Sequence, residues 1–148
     1  MPSTHLSLFY HIVFSTKNRQ PFIRESWQPR LHSYIGGIIR DLGGVALIIG
    51  GTQDHVHIEA RLKSTHCLAR FIQDVKTHSS LWIHGEIGSR AFSWQDGYGA
   101  FTIGRSETDT LKKYIAGQKE HHRKKTFQEE YLELLRESGI DFDERFLW

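Results

Sequence analysis

Two histidines separated by one apolar residue, in Asp54-His55-Val56-His57-Ile58-Glu59, give this chain its first chemically suggestive spacing. Side chains of a strand alternate between its faces, so His55, His57, Glu59 and Arg61 share one face while Val56, Ile58, Ala60 and Leu62 share the other. Two neutral imidazoles side by side on a strand converge just above the sheet, where a divalent cation can take one nitrogen from each. A second pair follows in Leu111-Lys112-Lys113-Tyr114-Ile115-Ala116-Gly117-Gln118, where Tyr114 and Gln118 stand one helical turn apart on one face. The Gln118 amide oxygen is a candidate third ligand. The Tyr114 phenol is a candidate nucleophile toward phosphorus, provided that a nearby cation polarises the phosphate. Together the four make a phosphoryl-transfer site. Taken singly, each pair also reads as an ordinary half-exposed strand or amphipathic helix.

Such a site needs a scaffold that carries a strand and a helix to one point, and the hydrophobic pattern predicts one. His5 to Ser15 reads as a strand with apolar residues on both faces, hence a central strand. A helix is predicted from Glu25 to Leu42, with Pro29 in its first turn and Gly43-Gly44 at its end. The run Val45–Ile49, a turn at Gly50-Gly51-Thr52-Gln53-Asp54 and the histidine strand form a hairpin. A second helix starts from a Ser64 or Thr65 cap and runs to about His84. The strand Tyr98–Ile103 then leads into a third helix, 107–125, capped by Ser106 with Asp109. Within it, Gly117 costs about 1 kcal/mol relative to alanine and points to a close approach by another element or by DNA. The order β-α-β-β-α-β plus a further helix that carries Tyr114 predicts an α+β, ferredoxin-like (RRM-like) antiparallel sheet with two helices on one face.

A chain of 148 residues fits one domain, 1–148, made of a core over 5–103, the tyrosine helix and a tail over 126–148. The net charge of +2 hides an asymmetry, because the tail has seven acidic residues and two arginines, leaving +7 for the rest. This suits a basic body that meets a polyanion and an acidic tail that packs elsewhere. The single cysteine, Cys67, reads as a buried, inert thiol in a reducing, cytoplasmic setting. No run is long enough to span a membrane, and Met1-Pro2-Ser3-Thr4-His5 shows no export signal.

The strand Asp54–Ile58, the segment Trp94-Gln95-Asp96-Gly97-Tyr98-Gly99-Ala100-Phe101 and the helix Tyr114–His122, in that order, resemble the single-tyrosine HUH transposases of bacterial insertion sequences. The opening Tyr10–Lys17 and the closing Glu137–Phe142 extend the resemblance over nearly the whole chain. It implies that His55, His57 and Gln118 hold a divalent metal, Mg²⁺ or Mn²⁺, and that Tyr114 is the nucleophile. The implied reaction cleaves and rejoins single-stranded DNA at hairpin-bearing element ends through a 5′-phosphotyrosine intermediate. It also implies a homodimer whose tyrosine helices complete each other's histidine sites; Gly104-Arg105-Ser106, the short link into the tyrosine helix, reads as the hinge. Relatives acting on repetitive extragenic palindromes share these motifs.

Lys17, Arg19, Lys112, Lys113, Lys119 and Arg123 are candidate phosphate contacts. His121-His122 reads as imidazoles meeting a helix C-terminus, off the Tyr114/Gln118 face. His66, His78 and His84 read as surface or packing residues, and Trp94, Tyr98 and Phe101 as core or interface rather than base-stacking platforms. Two other functions compete with the transposase reading: a non-catalytic single-strand-binding module, and a metal-dependent nuclease that uses water.

Overall fold

The structure, a computed structural model, describes residues 3–148; Met1 and Pro2, the start of the segment read for an export signal, lie outside them. Strand β1 (Phe9–Ser15) is central, as its two apolar faces require. It pairs with β3 (His55–Arg61) on one side and β4 (Gly99–Ile103) on the other, and β2 (Val45–Thr52) lies outside β3. Every pairing is antiparallel, in the order β2-β3-β1-β4 of a ferredoxin-like sheet. β1 begins at Phe9 rather than His5 because Phe9 already pairs with Arg61 and Ile103, the last residues of its neighbours. Before it, Leu8 still accepts the Leu62 N–H at 3.0 Å just past the end of β3, while Leu6 stays exposed.

Helices α1 (Gln28–Asp41) and α2 (Leu68–Trp82) cover one face of the sheet. Ile12, Phe14, Val56 and Ile58 point into this layer and pack with Leu31, Ile35, Ile39, Phe71, Ile72 and Val75. Pro29 sits in the first turn of α1, as expected, although the helix starts three residues later than Glu25. α2 begins at Leu68, so Cys67 is its cap residue and is exposed rather than buried. The thiol stands before the first helical turn, outside the apolar stripe.

The opposite face, which the histidines share, is covered by α3 (Thr108–Ala116), α4 (Gln118–His121) and α5 (Phe127–Glu137). A smaller core of Val13, Phe101, Phe127, Tyr131 and Leu135 holds this layer. The tyrosine helix is thus not continuous over 107–125: it breaks at Gly117, whose ψ of 15° leaves the helical range. The entry also differs from the Ser106/Asp109 cap, since Glu107 Oε1 accepts the Gly104 N–H at 2.9 Å. The acidic tail does not pack away from the basic body; its helix α5 closes over the histidine face. Among the described residues no helix is long and apolar enough to cross a membrane.

Candidate active site

Strand alternation places His55 and His57 under α3, α4 and α5, where both rings are fully buried. The approach of α3 to the sheet depends on Gly50. A Cβ there would stand 2.5 Å from the Ile115 carbonyl oxygen, so only glycine lets the helix settle next to Tyr114. This explains why Gly50-Gly51 lies within β2 and leaves only Gln53-Asp54 as the hairpin turn, where turn propensity alone suggested a five-residue loop. Gly50→Ala is expected to cost about 1–3 kcal/mol through overpacking and to lower activity further by moving Tyr114 and Gln118. Denaturant unfolding and a cleavage assay on the same protein check both effects.

Four predicted site residues meet within the single chain. His55 Nε2 lies 2.9 Å from Gln118 Oε1, and the break at Gly117 turns Gln118 inward, 1% exposed. Glu130 of α5, which the sequence reading did not select, enters the same space. Its Oε1 is 3.0 Å from His57 Nε2 and 3.2 Å from His122 Nε2, while its Oε2 accepts hydrogen bonds from the Tyr114 hydroxyl and from Gln118 Nε2. His122 Nε2 is also 2.9 Å from Gln118 Oε1. His121 Nε2 comes within 3.2 Å of Glu130 Oε2 without the alignment of a hydrogen bond.

A surrounding layer orients the rings. His55 Nδ1–H donates to Asp54 Oδ1 at 2.8 Å, and Thr52 donates to the same oxygen at 3.0 Å, which leaves His55 Nε2 to face the site. His57 Nδ1 is 2.7 Å from Nε2 of His11, a buried β1 residue whose ring stacks on His57. This contact works in either direction. When His57 Nε2 offers its lone pair, Nδ1–H donates to His11.

The electrostatics fit a site that takes a cation. Burial pushes His57 down to about 4 and His11 down to about 3, so both imidazoles are neutral and have lone pairs to offer at physiological pH. Burial alone would raise Glu130, but hydrogen bonds from His122 and His57 outweigh it and hold the carboxyl well below its usual range. The same carboxylate overcomes desolvation at His122 and raises it. Tyr114 is pushed up, first by burial and then by Glu130, so its phenol is protonated in this state.

One nitrogen from each of His55, His57 and His122 and one oxygen of Glu130 lie within 4.8 Å of one another. The nearest donor pairs are 2.9 to 3.6 Å apart. For bonds of about 2.1 Å, neighbouring donors stand about 3.0 Å apart in an octahedron and about 3.4 Å apart in a tetrahedron. The residues therefore fit a divalent metal. A cavity of about 530 Å³ between β4, α3 and α5 reaches Tyr114, His11, His121 and Glu130 and is bordered by Glu107, Glu133 and Glu137.

The candidate phosphate contacts are spread around this site. Lys17 and Lys113 are exposed, and the Arg19 guanidinium lies over the Trp148 ring at 5.2 Å. Lys112 stands 3.9 Å from Asp109, Lys119 3.5 Å from Glu25, and Arg123 3.0 Å from Glu120. Trp94 is core, with its indole N–H donating to Ser79 Oγ, and Phe101 is buried, whereas Tyr98 is partly exposed. His66 and His84 donate to the carbonyls of Leu42 and Phe92, both packing roles.

Three participants, His11, His122 and Glu130, were not singled out from the sequence, and two left a signal there. His122 follows Gln118 by four residues and so continues the Tyr114/Gln118 face, contrary to its reading as a helix-end histidine. Glu130 stands in the apolar stripe of α5 with Phe127, Tyr131, Leu134 and Leu135, where a carboxylate is out of place. His11 left none, because its reach to His57 depends on a strand register that spacing does not reveal.

A family profile described as "Transposase IS200 like" matches residues 4–118, from just before β1 through Gln118. The chain belongs to the IS200-like transposase family. Among solved structures, a Deinococcus radiodurans R1 protein named as a candidate transposase superposes with a TM-score of 0.63 at 17% identity, covering 80% of this chain and 96% of that one. A REP-associated tyrosine transposase bound to a REP hairpin superposes with a TM-score of 0.57 at 14% identity, covering 79% of this chain and 72% of that one. Among curated protein sequences, none matches this one. These structural likenesses concern the fold. In this transposase the matched span ends at Gln118, so His121, His122 and Glu130 lie beyond it.

Proposed function

We propose that this transposase cleaves and rejoins single-stranded DNA with Tyr114 as the nucleophile and His55, His57 and Gln118 as ligands of a divalent metal, Mg²⁺ or Mn²⁺. The observation that carries the reading is the meeting of a phenol, an amide oxygen and two fully buried imidazoles at one point on the sheet. The bound cation would supply polarisation of the scissile phosphate. The Tyr114 oxygen attacks phosphorus, the bond to the 3′ oxygen breaks, and the 5′ phosphate stays on the tyrosine. Glu130 Oε2 accepts the phenolic hydrogen bond and orients the hydroxyl, and the proton that the phenol loses is balanced by the one that the leaving 3′ oxygen takes up. A 3′-hydroxyl at a new junction reverses the attack. Since the phosphotyrosine conserves the bond energy, no nucleotide cofactor is required.

The likeness to a hairpin-bound tyrosine transposase supports DNA hairpins as the substrate class. Lys17, Arg19, Lys112, Lys113, Lys119 and Arg123 contact the backbone in this reading. Hairpin-ended single-stranded DNA, incubated with protein and Mn²⁺ and then denatured, tests the class of activity. Cleavage with a covalent adduct is expected; cleavage without one would indicate a water-using nuclease, and binding alone a recognition module.

The homodimer implied by the resemblance would exchange α3 together with the segments that follow it, a swap that can keep the contacts of α3 with the sheet and change only the link after β4. That link, Arg105–Glu107 with Gly104 before it, contains no buried residue in its 3₁₀ turn. Mixing Tyr114→Phe with His57→Ala protein after dissociation and reassociation is expected to restore cleavage, because mixed dimers contain one intact composite site. No recovery would mean that each chain uses its own tyrosine.

A further inference from the structure

We propose, building on the metal site above, that Glu130 is its anionic ligand, so that cation binding and docking of the C-terminal helix α5 form one linked equilibrium. The sequence span shared with the family ends at Gln118, so this carboxylate belongs to a part of the chain to which that match assigns nothing.

The position of Glu130 is fixed by its neighbours on α5. A Thr126/Glu129 capping box starts the helix, the Phe127 ring lies 4.6 Å from that of His55, and Tyr131 packs where a Cβ on Gly99 would stand 2.9 Å from its ring. These contacts leave Glu130 facing inward, 1% exposed. The other acidic side chains of α5 have different surroundings: Glu129 closes the capping box, Glu133 pairs with Lys125, and Glu137 is exposed.

Three features identify the ligand that this carboxylate awaits. First, all its ion-pair contacts are to histidines, with no lysine or arginine among the described residues within 4.0 Å. Imidazole is not a fixed countercharge, and a divalent cation at this point would be one. Second, its Oε1 lies 3.0, 3.2 and 3.6 Å from Nε2 of His57, His122 and His55, the spacing of donors around one ion rather than of a single hydrogen bond. Third, its two oxygens are divided, with Oε1 toward the imidazoles and Oε2 toward the Tyr114 hydroxyl. One oxygen can thus serve the cation while the other holds the nucleophile.

The alternative is that Glu130 competes with the cation for the histidines, and the two roles predict opposite signs. Metal-stripped, full-length protein is titrated with Mn²⁺ by calorimetry, and hydrogen exchange of residues 127–137 is followed with and without the ion. Glu130→Gln, which keeps shape and removes charge, is expected to weaken Mn²⁺ binding by at least about tenfold and to abolish the protection that Mn²⁺ gives to α5 in the wild type. Glu133→Gln should stay within about twofold of wild type. Near-UV circular dichroism in EDTA establishes that each variant is folded, and Glu130→Asp, which keeps the charge but withdraws it, replaces the glutamine variant if that one is not. Wild-type or tighter affinity in Glu130→Gln, with binding lost in His55→Ala/His57→Ala, would overturn the role of Glu130 and leave the histidine site standing. Wild-type affinity in the double histidine variant would overturn both.

Discussion

Tyr114→Phe is expected to abolish strand cleavage and the covalent protein–DNA adduct, a fall on the order of 10⁴-fold or more, while fold and hairpin binding stay close to wild type. The substitution removes one oxygen. The ring keeps its place near His57 and His11, and Gln118 Nε2 still donates to Glu130 Oε2. The stability cost is therefore that of one hydrogen bond, about 1 kcal/mol. A phenol has a reference pKa of about 10 and is a poor nucleophile at neutral pH; here burial and the Glu130 charge push it higher still. Without a cation the phenol is thus protonated, and a cation beside the carboxylate would oppose the second of these effects. Gel analysis under denaturing conditions reads cleavage and adduct together, and a filter or mobility assay reads binding.

Much of this site was legible from spacing because its main parts are local. The alternation through Asp54–Leu62 puts His55 and His57 on one face whatever the rest of the chain does, and the four-residue interval puts Tyr114 and Gln118 on one side of a helix even with the break at Gly117. The central position of β1 followed from its two apolar faces, one packing on α1 and α2, the other on α5. What was not legible depends on distant approach. Gly50-Gly51 has the composition of a turn and lies in a strand because Ile115 needs the space. The acidic tail was separable by charge, yet its destination was set by Phe127, Tyr131 and Leu135 packing against β1 and β4, and these carried Glu130 into the histidine cluster. Cys67 sits in an apolar pattern and is exposed because the helix starts one residue after it.

The double variant His55→Ala/His57→Ala should lose specific Mn²⁺ binding, a drop larger than the roughly 10- to 100-fold that follows loss of an orienting group. Cleavage should fall with it. Both rings are fully buried, so the variant also leaves cavities and is expected to be destabilised by a few kcal/mol. Calorimetry is therefore performed well below its unfolding temperature. His78→Ala, which removes an exposed imidazole on α2, controls for nonspecific binding and should leave the affinity unchanged. Retention of wild-type affinity by the double variant would remove the metal from this face of the sheet.

The most direct test is the chemical identity of the covalent intermediate. Wild-type protein is incubated with hairpin-ended single-stranded DNA and Mn²⁺, denatured, digested with nuclease and protease, and analysed by tandem mass spectrometry. A nucleotide attached through its 5′ phosphate to the Tyr114 oxygen is expected, with a free 3′-hydroxyl on the released strand. Cleavage without any adduct, or an adduct on another residue such as Tyr10 or Tyr131, would contradict the assignment of Tyr114.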